Sequence, residues 1–126
     1  MIKKGKISLK KIFNLLHCYV AYFLKWGKSA PSPYLIQFEL WNECNESCVF
    51  CRDENDEIFD LNSNGHSTSI PKGKIPFETY SGTLSQVKDR LLMSIPYING
   101  EPLLSKDVYK AIQFASDLKI STLIAT

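Results

Sequence analysis

The sequence predicts an α/β fold, a parallel sheet whose strands are joined by helices, preceded by one amphipathic helix. Three observations lead there. A unit of strand, loop and helix recurs along residues 34–125, and strands joined in this way run parallel with right-handed crossovers. A basic stretch of helical periodicity, residues 6–26, is cut off from the rest by Pro31-Ser-Pro33, since proline fixes φ and blocks helix continuation. The 126 residues, 44% of them hydrophobic, suffice for one domain with its own core and for no more.

The chain therefore divides into a leader helix (1–30) and a body (31–126). The net charge of +2 conceals an asymmetry between them. Seven of the fifteen basic residues and no acid lie in the leader, which leaves the body eight basic against thirteen acidic side chains, a formal −5. The basic excess belongs to the leader alone, so no nucleic-acid binding is expected of the body.

In the leader, Ile12, Phe13, Leu16, Tyr19, Val20, Phe23 and Leu24 follow helical spacing, while Asn14, His17, Ala21 and Lys25 line the other side. The expected arrangement packs the apolar stripe under the domain and leaves the lysines solvated. The competing one lays residues 6–26 on an anionic membrane surface or a partner, which would make the protein peripheral. Asn14 and His17 interrupt the run Ile12–Leu24, and Lys28 and Pro31 spoil a cleavage site near Ala30, so no signal peptide is expected. The run is also short of the ~20 apolar residues that span a bilayer. Cys18, apolar-flanked, reads as a small hydrophobe. Cys48 and Cys51 are too close for a useful disulfide staple, and a reducing cytoplasm fits the four cysteines better than secretion.

In the body, Tyr34–Trp41 alternates as a strand, with Ile36, Phe38 and Leu40 on one face and Leu35, Gln37, Glu39 and Trp41 on the other. Gln37 and Glu39 either point into a cavity or form the wet side of the sheet. Residues 52–75 are acidic and then rich in Asn, Ser, Gly and Thr, a long connection that reads as a lid or a mobile loop. Pro76 suits a first helical position, and Phe77, Tyr80, Leu84, Val87 and Leu91 keep helical spacing, weakened by Gly82. Leu92–Ile98 reads as a second strand, in which Pro96 removes a ladder donor. Ser105 caps a third helix striped by Val108, Ala111, Ile112, Ala115 and Leu118, and Ile120–Ala125 is a third strand.

The chemistry gathers where the strands end. Cys44-Asn-Glu-Ser-Cys48-Val-Phe-Cys51 follows the first strand with three thiols at a CxxxCxxC spacing. Thiolates are soft ligands suited to zinc, copper(I) or iron–sulfur clusters, and three on one loop converge on a single metal or on three irons of one cube without closing a four-ligand shell. The turn Asn99-Gly-Glu-Pro102 follows the second strand, and in a parallel sheet of adjacent strands the two segments are neighbours. Gly100 allows close backbone approach to a ligand, and Glu101 adds an acceptor for a cationic group such as an amine.

Cys44-x-x-x-Cys48-x-Phe50-Cys51 followed by Asn99-Gly-Glu-Pro-Leu103 resembles the radical S-adenosylmethionine (radical SAM) superfamily over residues 31–126. The resemblance implies the N-terminal part, about three βα units, of a partial (β/α)6 TIM-like barrel. It implies that Cys44, Cys48 and Cys51 each bind one iron of a 4Fe–4S cluster, the fourth iron taking the amino and carboxylate groups of SAM. Phe50 would pack against adenine, and the Asn99, Gly100, Glu101 and Pro102 turn would hold the methionyl amine. An electron donor would drive reductive cleavage of SAM to a 5′-deoxyadenosyl radical that attacks a substrate the sequence does not identify.

Two departures stand out. Asn99 occupies a place where the family usually has glycine, which asparagine's tolerance of positive φ accommodates. The chain also supplies about half of the family's strands, so it is expected to be truncated and to lack turnover by itself. The competing reading is a structural zinc site without catalysis, in which His66 completes a Cys3His shell with Cys44, Cys48 and Cys51.

Overall fold

The computed structural model describes residues 7–26, 31–45, 73–98 and 100–126. Their order is α1 (Leu9–Phe23), β1 (Leu35–Gln37), α2 (Phe77–Val87), β2 (Met93–Ile95), a 3-10 turn (Pro102–Leu104), α3 (Lys106–Asp117) and β3 (Ser121–Thr122). The three strands form one parallel sheet in the order β1-β2-β3. Leu35 pairs with Met93, Ile36 with Ser94, and Met93 with Ser121. The fold is thus the expected α/β arrangement, in three strands.

The strands are shorter than the sequence suggests. Leu92–Ile98 is strand only to Ile95, because Pro96 has no N–H to give to a neighbour and β2 is the central strand. β1 stops its regular pairing at Gln37, although the Phe38 N–H still reaches the Ile95 carbonyl at 2.8 Å. The expected alternation holds. Leu40 lies in the core with Ile36 and Phe38 packed against it, whereas Leu35 and Gln37 are exposed.

The core forms where α2 and α3 cover that face. Tyr80 and Leu84 of α2, Ala111 and Ala115 of α3, and Leu91 and Ile120 at the strand entries are fully buried. Two edge-to-face ring pairs tie the layer together, Phe38 on Tyr80 at 5.2 Å and Phe77 on Phe114 at 5.8 Å. The Tyr80 hydroxyl meets its polar requirement on buried Ser94 of β2 at 3.0 Å. Ser105 caps α3 as expected, its Oγ accepting from the Asp107 N–H at 3.3 Å. Both α1 and α3 end with a lysine in left-handed conformation, Lys25 at φ 51° and Lys119 at φ 58°. In each case amides at and after the lysine close the last turn, as with Lys119 N–H to Ser116 O and Ile120 N–H to Ala115 O.

The leader helix overturns the expected packing. Its docked face consists of Lys11, Asn14 and Ala21, all buried, with half-buried Cys18, and the apolar stripe points outward. The cause is what the helix meets. Lys11 Nζ donates to the Lys119 carbonyl at 2.6 Å, and Asn14 Nδ2 donates to the carbonyls of Ser32 (2.9 Å) and Arg90 (3.3 Å). These carbonyls lie in turns and loops outside the regular elements, and polar side chains satisfy them where leucine or phenylalanine would not. No described helix is long and apolar enough to cross a membrane.

Candidate functional site

The chain leaving β1 turns over the end of the sheet and meets the turn that follows β2. Two hydrogen bonds join them: the Glu101 N–H donates to the Glu43 carbonyl at 3.0 Å, and the Gly100 N–H donates to Glu39 Oε1 at 3.2 Å. Glu43 adjoins Cys44, so the first thiol and the 100–102 turn are neighbours, as the parallel order requires. Cys44 is half-buried.

Gly100 is buried, and its missing Cβ has a specific cause. A Cβ there would strike the Trp41 carbonyl oxygen and lie 2.8 Å from Asn42 Cα. The space expected for a ligand's approach is instead taken by the backbone between β1 and Cys44. Glu101 also has local work. Its Oε1 accepts the Leu103 N–H at 3.0 Å and caps the 3-10 turn, of which buried Pro102 is the first residue. Side chain and turn together fix the backbone of residues 100–102.

Between the two readings of Glu39, the structure favours the inward one, since its carboxylate reaches the Gly100 amide. Gln37 stays exposed and donates to the Tyr97 carbonyl at 3.0 Å. Cys48, Phe50, Cys51, His66 and Asn99 lie outside the described residues. Among the described residues no group of three or more His, Cys, Asp or Glu side chains stands together to hold a metal ion.

Residues 73–75, read from sequence as the tail of a long structureless connection, return to residues 40–42. Trp41 and Lys74 form an antiparallel bridge. The Asn42 N–H donates to Gly73 O and Ile75 N–H to Leu40 O, each at 3.3 Å, and Asn42 Oδ1 accepts the Gly73 N–H at 2.7 Å. The stretch that contains the three thiols therefore starts and ends at one clasp. Asn42 is the residue that sequence reasoning missed, and its one signal was an asparagine directly after a strand, where its side chain can bond backbone. Trp41 Nε1 and Thr122 Oγ1 are buried and have no hydrogen-bond partner among the described residues. Trp41 is part of the clasp, and Thr122 ends β3.

No family model matches the chain. Two curated relatives do, each called S-adenosylmethionine-dependent nucleotide dehydratase. The protein of Flammeovirga pacifica is 29% identical and that of Lacinutrix mariniflava 30% identical, both over 91 residues or 72% of this chain. The chain spans 29% and 18% of their respective lengths. Among solved structures, BtrN in complex with AdoMet and 2-DOIA superposes with a TM-score of 0.49 at 18% identity, covering 71% of this chain and 33% of that one.

Proposed function

We propose that the chain is the cofactor-binding part of a radical SAM enzyme, in which Cys44, Cys48 and Cys51 hold a 4Fe–4S cluster and the 99–102 turn holds SAM. The observation that carries the reading is the junction of the two segments, Glu101 N–H on Glu43 O and Gly100 N–H on Glu39 Oε1. It brings the chain entering the thiol loop against a backbone turn whose glycine and capped geometry are fixed before any ligand arrives. The donor set fits such a cluster, since three soft thiolates on one loop leave one iron open. Cys44, the first of the three, follows directly on the residue that makes this junction.

Cys44, Cys48 and Cys51 would hold the cluster, which would supply an external donor's electron for the reductive cleavage of SAM. The chain's own residues bind and orient. The Glu101 carboxylate and the turn backbone would attract the amino group of SAM and Phe50 would pack against its adenine, while the clasp at Asn42–Gly73 ties together the ends of the stretch that carries the thiols. The names of the two relatives extend the proposal to a nucleotide as the substrate class of the whole enzyme. Anaerobic calorimetric titration of SAM into the iron-loaded chain tests the reading. Saturable binding that Cys44→Ala abolishes and Glu101→Gln weakens is expected. An iron-loaded chain that binds no SAM would overturn it.

A further inference from the structure

We infer that α1 is a membrane-surface helix that seats its outward apolar face in an anionic lipid bilayer. Ile12, Phe13, Leu16, Tyr19, Val20 and Phe23 form a continuous stripe on the side of the helix opposite Lys11, Asn14, Cys18 and Ala21. Phe13 and Phe23 are 68% and 74% exposed. Soluble surfaces rarely carry so much contiguous apolar area without something to cover it. The other face decides that the stripe points outward, because Lys11 and Asn14 spend their donors on the carbonyls of Lys119, Ser32 and Arg90 and hold the helix in this rotation.

Charge selects the occupant. Residues 1–30 hold seven lysines and no acid, so two copies meeting through their α1 faces would bring like charges together, whereas anionic headgroups would neutralise them. Lys25 is exposed just past the end of α1, and Lys10 is exposed on the helix, where it also pairs with Asp89 at 3.7 Å. Tyr22 and Trp26, also exposed, add the amphipathic rings that settle at the level of lipid headgroups. At 15 residues α1 lies along a bilayer and cannot cross it.

The test is co-sedimentation of the purified chain with phosphatidylcholine vesicles, with and without about one third phosphatidylserine. Binding to the anionic vesicles, and much less to the neutral ones, is expected. The double variant Phe13→Ser/Phe23→Ser, altered only at exposed positions, should partition at least about tenfold less while keeping its circular dichroism. Three results would each overturn the inference: no vesicle binding, equal binding of the double variant, or a dimer in solution that the double variant dissociates without any vesicle binding. None of them bears on SAM binding, which resides at the other motif.

Discussion

The carboxylate of Glu39 accepts the amide N–H of Gly100 at 3.2 Å, linking the end of the first strand segment to the turn after the second. Gly100 is buried, so its amide has little access to water if that acceptor is lost. Glu39→Ala should cost about 1–3 kcal/mol in stability, measured by urea unfolding, and weaken SAM binding by loosening the turn. Glu39→Gln keeps an acceptor oxygen without its charge and should cost less on both counts.

Gly100 is also where the two backbones come closest. Because an added Cβ would meet the Trp41 carbonyl and Asn42 Cα, both backbone, relief requires the two segments to separate. Gly100→Ala should destabilise the chain by about 1–3 kcal/mol or more. It should also cost more SAM affinity than Glu39→Gln, as read by the same titration.

Two surface substitutions should stabilise. Gly82 lies within α2 away from the core, and a methyl added there would meet nothing within 4 Å, so Gly82→Ala should add about 0.5–1 kcal/mol. Lys119 holds φ 58° at the end of α3, and Lys119→Gly should gain a similar amount, about 1 kcal/mol, by removing the side chain's penalty in left-handed backbone. Both gains should appear as a raised Tm.

Burial pushes the Tyr80 phenol above its ordinary range, an effect partly offset by the hydrogen bond with Ser94. A group whose folded value is raised contributes its stability below the unfolded value, about 10 for tyrosine, and loses it as pH rises through the folded one. Tyr80→Phe should therefore cost about 1 kcal/mol at pH 8 by stranding Ser94, with the gap to the parent narrowing as the pH climbs past about 10. Urea midpoints across that range check it.

Much of this was legible in the sequence. The alternation of Ile36, Phe38 and Leu40 named the buried face of β1 and of the segment that continues it, Ser105 named the start of α3, and the parallel order put the Cys44 segment beside the 100–102 turn. What stayed hidden depends on partners distant in sequence. Periodicity identifies the apolar stripe of α1, but the rotation of that helix follows from carbonyls at Ser32, Arg90 and Lys119, none of which a helical wheel contains. The clasp of Gly73 on Asn42 rests on one polar side chain within a stretch that has no periodicity. The helix ends were obscured because lysine, not glycine, occupies both left-handed positions.

The proposed iron–sulfur cluster on the three-thiol loop, with one iron open to SAM, has a distinctive metal content and colour. Anaerobic reconstitution with iron and sulfide, followed by metal analysis and absorbance, tests it most directly. A brown, oxygen-labile protein with about four irons per chain is expected, the cluster being lost on Cys44→Ala and unaffected by His66→Ala. A colourless chain that instead binds about one zinc, and loses it on His66→Ala, would contradict it.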